Sequence, residues 1–198
     1  LDSGALYRVV GLACERSGVK LTDHIEAAKI ARELQVIFRM ESGGVKVYLE
    51  GEDVSALIRT EESGRRASVV AKLSSVRETL LARQRRLAKA PGLVADGRDM
   101  GTTVFPEAEL KIFLIASAEA RAERRFKQLQ GQNEGVSLRR LSEVIRQRDA
   151  RDKARAASPL IPAPDAFVLD STKLSTQEVF VRAWDLIVTR GLIKGALG

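Results

Sequence analysis

The stretch Leu93–Leu114, LVADGRDMGTTVFPEAELKIFL, decides the fold that this sequence predicts. It begins with a short apolar run, Leu93-Val94-Ala95, and ends with a second, Ile112-Phe113-Leu114. Short apolar runs bounded by glycine and proline are typical of strands buried on both faces of a parallel sheet. Directly after the first run lies Asp96-Gly97-Arg98-Asp99. Because ligands of open α/β sheets bind beyond the carboxyl ends of the strands, this loop is a candidate site.

The side chains of this loop suit a phosphate or a magnesium ion. Asp96 can hold Mg²⁺ or a water bound to it. The planar guanidinium of Arg98 can take a phosphate with two hydrogen bonds. A surface loop that contains a salt bridge is the alternative interpretation of these residues.

Length and composition indicate one α/β domain with anionic ligands. The 198 residues are 44% hydrophobic, which is enough for a proper core. The net charge of +7 favours nucleotides, nucleic acid or anionic surfaces, whereas 5% aromatic residues are too few for a base-stacking platform. One cysteine excludes an intrachain disulfide and predicts a cytoplasmic protein, and one histidine excludes His-rich metal sites. No apolar run reaches the roughly 18 residues of a membrane helix.

Strand and helix signals alternate along the chain. Strands are predicted at 93–96, 111–116 and 166–169, and a β-hairpin is predicted at Val36–Met40 and Val45–Leu49. Helices are expected after candidate caps at Ser3, Asp23, Ser75, Ser117, Ser137 and Ser175. The alternation predicts an α/β fold with a parallel sheet, and the amphipathic hairpin predicts an insertion over residues 21–67.

Three charged residues share one face of a predicted helix. Arg148, Asp152 and Arg155 follow the spacing i, i+4, i+7. A solvated face with salt bridges is the default interpretation. Arg8 likewise is either a solvated arginine or a ligand of the pocket that Ser3 borders, and Ser3 is either a ligand or a plain helix cap.

Five segments, in this order and spacing, resemble bacterial cytidylate kinases. They are LDSGALYR at 1–8, LEGEDVS at 49–55, DGRDMGT at 96–102, RDARDKAR at 148–155 and VLDST at 168–172. The resemblance extends from residue 1 to residue 190 and implies a single P-loop kinase domain, in which helices flank a parallel sheet. It implies a core at 1–20, 68–120 and 159–198, a nucleoside-monophosphate-binding insertion at 21–67, and a helical lid at 121–158.

The resemblance also implies an activity and a set of site residues. The activity is ATP-dependent phosphorylation of CMP or dCMP with Mg²⁺, in pyrimidine metabolism, by a monomer that binds no membrane and no specific nucleic acid. By this resemblance, the CMP phosphate would be held by Arg8, Arg98 and Arg155, with Ser3 nearby. The cytosine would be read by Ser68, Arg77 and Asp99, and the ribose would be contacted by Arg148 and Asp152. Asp96 would assist Mg²⁺. The catalytic residues would be Arg98, Asp96 and Arg155.

One family motif is absent from the sequence. The family binds the ATP phosphates with G-x-x-x-x-G-K-[ST], and the 198 residues contain no Gly-Lys pair. The family places this loop upstream of Leu-Asp-Ser-Gly, so we expect about 30 further residues, a strand, the P-loop and a helix, before Leu1. Phosphoryl transfer depends on positioning and charge neutralisation, and the chain as printed is therefore expected to be inactive.

Two other functions stay open at this point. One is a non-catalytic module without a P-loop that binds RNA or another polyanion, which the salt dependence of RNA binding would reveal. The other is a kinase for a different small phosphate acceptor, since cytosine is indicated only through the resemblance.

Overall fold

The structure is a computed structural model that describes residues 1–42, 44–129, 137–153 and 160–193. Within these ranges, the side chains of residues 128, 129, 148 and 151–153 lie outside the description. The chain divides into two compact units, Leu1–Gly97 and Arg98–Gly198, and each unit is described by itself below.

The first unit combines four helices with a small antiparallel sheet. Its elements are α1 (Ser3–Arg16), α2 (His24–Glu33), β1 (Val36–Glu41), β2 (Gly44–Leu49), β3 (Glu52–Asp53), a 3₁₀ turn (Leu57–Arg59), α3 (Glu61–Val70) and α4 (Ser74–Arg85). The strands pair in the order β1-β2-β3, so the predicted hairpin is confirmed. At the turn into β3, Glu50 and Gly51 both have positive φ angles, of 50° and 87°. A tight hairpin turn requires this conformation.

A continuous apolar core joins these elements. Leu6, Val9 and Val10 on α1 are completely buried together with Val70 of α3 and Leu80 of α4. Helix α1 lies so close to α3 that a Cβ atom added at Gly11 would be 2.9 Å from the Cβ of Arg66. The hydrophobic effect of these side chains holds the first unit together.

The helix starts of the first unit correct two predictions. Asp2, not Ser3, caps α1, because its carboxylate accepts the N–H of Ala5 at 2.9 Å. Ser75 does not cap α4, which begins at Ser74; the Ser75 hydroxyl instead donates to the carbonyl of His24 at 2.7 Å. The predicted cap at Asp23 is confirmed.

Helix α3 was not predicted from the sequence. Its first-turn signals are present in the chain, because Thr60 accepts the N–H of Ser63 and two glutamates follow Thr60 directly. The segment has few apolar residues, so its helical period is weak.

The second unit holds a parallel pair of strands. Its elements are a π-helical turn (Met100–Val104), β4 (Ile112–Ile115), α5 (Ala118–Leu129), α6 (Leu138–Lys153), β5 (Phe167–Asp170) and α7 (Thr176–Thr189). Strands β4 and β5 pair in parallel, with Ile112 opposite Phe167, which confirms the parallel pairing predicted for 111–116 and 166–169. The caps at Ser117, Ser137 and Ser175 are confirmed.

The predicted strand at 93–96 is wrong in the described structure. Asp96 forms only an isolated parallel bridge with Asp2. The amide of Asp96 donates to the Leu1 carbonyl at 2.8 Å, and the Ser3 amide donates to the Asp96 carbonyl at 2.9 Å. Among the described residues, this bridge does not extend into a ladder. Val94 is 86% exposed, so burial on both faces is also contradicted there.

The overall architecture is mixed α/β, with helices and a small parallel sheet. The division into core, insertion and lid stays a prediction, as does the monomeric state. In the part of the chain that the structure describes, no helix combines the length and apolar character needed to cross a bilayer.

Candidate functional site

Arg8, one of the predicted ligands, makes two side-chain hydrogen bonds to backbone carbonyls. Its Nη1 atom donates to the carbonyl of Ile58 at 2.6 Å and to that of Thr60 at 3.1 Å. These carbonyls flank the end of the 3₁₀ turn, directly before α3. Arg8 therefore connects α1 to the start of α3, a role that the interpretation as a solvated arginine does not include.

Gly64 of α3 lies beside the guanidinium of Arg8, which projects from α1. A Cβ atom added at Gly64 would be 3.3 Å from Nη2 of Arg8. The Ser68 hydroxyl donates to the carbonyl of Gly64 at 2.9 Å. Arg8 therefore contacts α3 at Gly64, a residue that the sequence analysis missed, and Ser68 follows one helical turn later.

Ser3 and Asp96 form a second local arrangement in the first unit. Their backbones are joined by the hydrogen bond from the Ser3 amide to the Asp96 carbonyl, at 2.9 Å. Ser3 is buried, whereas Asp96 is exposed. Arg77, the fifth predicted residue of this unit, is half-buried on α4.

Arg98 and Asp99 begin the second unit and are half-buried. The Asp99 carbonyl accepts the amides of Thr103 at 2.9 Å and of Val104 at 3.1 Å. The amide of Phe105 then donates to the Met100 carbonyl at 2.7 Å, which completes the π-helical turn. Such turns are rare and are often found at functional sites. No feature of the sequence predicted this one.

Three predicted residues belong to α6 or follow it. Arg148 and Asp152 lie within α6, which confirms their helical spacing, but their side chains are outside the described residues. Arg155 lies wholly outside the described residues.

Nearby arginines of the predicted lid are engaged in ion pairs. Arg121 of α5 pairs with Asp149 of α6, with Nη1 at 2.9 Å from Oδ1, and the carboxylate raises the pKa of Arg121. Arg146 pairs with Glu119 in the same way and thereby lowers the pKa of Glu119. These contacts are ion pairs between α5 and α6, whereas the interpretation of Arg148, Asp152 and Arg155 as a solvated face stays a prediction.

The predicted magnesium site of the first unit rests on a single carboxylate, that of Asp96. Mg²⁺ keeps several waters and commonly binds one or two carboxylates together with substrate phosphates. The predicted magnesium ligand, Asp96, is exposed and so accessible to such an ion. Among the described residues, no group of three or more His, Cys, Asp and Glu side chains could hold a metal by themselves.

Comparisons with known proteins agree along nearly the whole chain. Residues 1–189 match the family model described as cytidylate kinase. A cytidylate kinase of Aeromonas hydrophila is 56% identical over 181 residues, which is 91% of this chain and 79% of that protein. Those of Pseudomonas fluorescens and Pseudomonas putida are 54% and 53% identical, over 97% and 98% of this chain and 85% and 86% of their own lengths.

The family model covers far more than half of the chain, and the identities are well above those at which relatives share a family. The resemblance noted in five short motifs therefore extends through the helices and strands that connect them. The chain belongs to the cytidylate kinase family, whose members are nucleoside monophosphate kinases, a class of transferases.

Proposed function

We propose that this protein transfers the γ-phosphoryl group of ATP to CMP or dCMP, giving CDP or dCDP, with Mg²⁺. The observation that carries the proposal is the family match across residues 1–189, at about 55% identity to cytidylate kinases. The finer fold that belongs with this function is a P-loop kinase domain, with a nucleotide-binding insertion at 21–67 and a helical lid at 121–158.

The arginines carry the proposed phosphate chemistry. In phosphoryl transfer the acceptor oxygen attacks in line, and catalysis consists mainly of positioning and charge stabilisation. Arg8, Arg98 and Arg155 would bind the acceptor phosphate, and bidentate hydrogen bonds from a guanidinium suit that role. Ser3 would lie beside the same phosphate. Mg²⁺, when bound through Asp96 or its waters, would neutralise charge on the ATP phosphates.

The nucleoside would be recognised by a different set of side chains. Ser68, Arg77 and Asp99 would contact the cytosine, and Arg148 and Asp152 the ribose. Cytosine presents an amino group at the position where uracil presents a carbonyl, and a carboxylate accepts only from the former. Asp99 is therefore the proposed source of selectivity for cytosine.

The printed sequence limits what these 198 residues can do alone. They contain no G-x-x-x-x-G-K-[ST] motif to hold the β- and γ-phosphates. We expect CMP to bind this chain with no more than background phosphoryl transfer. We expect transfer after fusion to a P-loop segment of a cytidylate kinase, measured as CMP-dependent formation of ADP.

Binding of CMP and UMP to Asp99→Asn tests the proposal without requiring turnover. Isothermal titration should show that the unchanged chain binds CMP and dCMP more tightly than UMP. Asn keeps the shape of Asp99 but removes the charge, so the preference for CMP over UMP should fall by about 10-fold or more, since the discrimination depends on a charge-assisted hydrogen bond.

The possible outcomes separate the competing functions. If Asp99→Asn weakens CMP and UMP equally, Asp99 does not read the base. If the unchanged chain binds no monophosphate but binds RNA with a steep salt dependence, the polyanion-binding module is the correct interpretation. Tight binding of a different small phosphate would favour a kinase for that acceptor.

A further inference from the structure

Lys111, directly before β4, is a charged residue in an unusually enclosed position. Only 9% of its side chain is exposed. Its Nζ atom lies 2.9 Å and 2.8 Å from the two carboxylate oxygens of Asp165, and it also donates to the carbonyl of Pro106. Asp165 lies 61% exposed two residues before β5. The ammonium group therefore ties the segments that enter both parallel strands to the segment after the π-helical turn.

The aliphatic part of Lys111 packs against the π-helical turn itself. A Cβ atom added at Gly101 would be 3.0 Å from Cδ of Lys111 and 3.2 Å from Cγ. This is closer than ordinary van der Waals contact, so a Cβ atom at residue 101 would require the Lys111 stem to move by a few tenths of an ångström. The lysine stem thus forms one wall of the turn.

The π-helical turn begins with hydrogen bonds to the backbone carbonyl of Asp99. The Asp99 carbonyl accepts the amides of Thr103 and Val104, at 2.9 Å and 3.1 Å. Val104 is 3% exposed, which anchors the far end of the turn in the interior of the unit. A shift of the turn would therefore move the backbone from which the Asp99 side chain projects.

We propose that Lys111 is a positioning residue for Asp99, acting through Gly101 and the π-helical turn. The inference deepens the proposed function, because it assigns the orientation of the base-reading carboxylate to a residue outside the site. The ammonium is held by Asp165 and Pro106, its stem limits the position of Gly101, and the turn then sets Asp99. A group that reads a base by one hydrogen bond needs such support, because small displacements weaken the bond.

The decisive variant is Lys111→Met, which keeps the unbranched stem and removes the ammonium. Lys46→Met is the matched control, because Lys46 also pairs with an aspartate, Asp53 at 2.7 Å, but is 40% exposed and belongs to β2. Asp165→Asn serves as the second variant, since it weakens the ammonium contact and leaves the stem in place. Its use keeps the test decisive if Lys111→Met does not fold.

Two readouts separate positioning from simple stability. Hydrogen exchange at the amides of Thr103, Val104 and Phe105 should become faster in Lys111→Met and in Asp165→Asn, and should not change in Lys46→Met. In titrations, the preference for CMP over UMP should fall by about 10-fold in the first two variants, as substitutions behind a ligating residue commonly cause. A purely structural lysine would weaken both nucleotides alike and leave that ratio constant.

Each outcome decides part of the inference. Unchanged exchange of the three amides would show that Lys111 does not hold the turn, and would overturn the proposal. Faster exchange with a constant CMP/UMP ratio would show that the turn does not position Asp99, and would overturn it equally. If the unchanged chain does not prefer CMP over UMP, the proposed function is wrong, and so is the proposal that Lys111 positions Asp99 for reading the base. In that case, the hydrogen-exchange data still decide whether Lys111 holds the turn.

Discussion

The two units of this chain bury their apolar residues to different extents. In the first unit, Leu6 and Leu80 have no exposed surface and take part in one continuous core. In the second, α7 has no buried residue at all, and its stacked pair Phe180 and Trp184 is 57% and 40% exposed. Leu114 in the middle of β4 is 56% exposed.

The difference lies in what covers each apolar face among the described residues. In the first unit, helices α1, α3 and α4 enclose the same apolar cluster, so each helix covers the apolar face of another. In the second, the parallel sheet has two strands, and both leave large apolar side chains exposed. Exposed apolar surface contributes little to stability. We therefore infer that the stability of the described chain comes mainly from the first unit.

The largest expected difference in the free energy of unfolding is between two leucine-to-alanine variants, one in each unit. Leu6→Ala should lower the free energy of unfolding by about 2–5 kcal/mol, because it leaves a cavity in a filled core. Leu114→Ala removes the same atoms from a side chain that is 56% exposed, and it should cost about 1 kcal/mol or less. Urea unfolding followed by circular dichroism measures both losses.

The same two variants can also contradict the inferred difference in packing between the two units. Equal losses in Leu6→Ala and Leu114→Ala would mean that β4 is covered in solution, and that the two units are packed equally well.

A smaller effect is expected at the contact between α1 and α3. Gly11→Ala places a methyl group 2.9 Å from the Cβ of Arg66, so the helices must separate, at a cost of about 1–3 kcal/mol. Gly64→Ala is the control in the same unit, because its methyl group meets only the end of the Arg8 side chain, at 3.3 Å. Alanine favours a helix over glycine by about 0.5–1 kcal/mol, so Gly64→Ala should be close to neutral.

Thermal unfolding of the two glycine variants measures this difference. A Gly11→Ala protein as stable as the unchanged chain would show that α1 and α3 have freedom to move apart, and that the first unit is less tightly packed than the structure indicates.

The smallest expected effect concerns the cap of the exposed helix α7. The Ser175 amide and hydroxyl each donate to the Glu178 carboxylate at 2.7 Å, which lowers the pKa of Glu178. A carboxyl with a lowered folded pKa stabilises the protein above its unfolded pKa of about 4.3, and this contribution is lost as the pH falls through the folded value. Glu178→Gln should therefore reduce stability slightly at pH 7 and flatten its decline as the pH falls below the unfolded pKa of about 4.3.

The measurement is the melting temperature as a function of pH, by a probe of helix content. Because α7 has no buried residues, its cap should matter more than the Asp23 cap of α2, which packs in the first unit. A larger loss of helix content in Asp23→Ala, which removes the cap of α2, than in Ser175→Ala, which removes the cap of α7, would contradict that order.

Several elements could be predicted because their signals are local. The β-hairpin follows from period-two alternation on both sides of a glycine turn, and the caps at Asp23, Ser117 and Ser175 follow from residues within one turn of their partners. The segment at 93–96 could not be judged in the same way. An apolar run of three residues becomes a strand only if a partner strand lies beside it, and among the described residues it makes only an isolated bridge, from Asp96 to Asp2.

The candidate site shows the same division. The motifs at 1–8 and 96–102 identified Arg8, Arg98 and Asp99 by their sequence, and the comparisons confirmed the family to which those motifs belong. Gly64 and Lys111 carry no such signal. Gly64 matters because Arg8, which is 56 positions earlier in the chain, lies against it. Lys111 matters because Asp165, which is 54 positions later, accepts a hydrogen bond from its ammonium group.

By itself, the sequence determined the family, the mixed α/β class, the parallel strands at the second unit's centre and most helix starts, because these depend on short-range patterns. Only the tertiary structure decided that Asp2 rather than Ser3 caps α1, that Arg8 joins α1 to α3, and that the Lys111 stem packs against Gly101 of the π-helical turn. These features depend on which distant groups come within hydrogen-bonding or van der Waals distance. That proximity is set by the packing of the whole unit, and no local pattern encodes it.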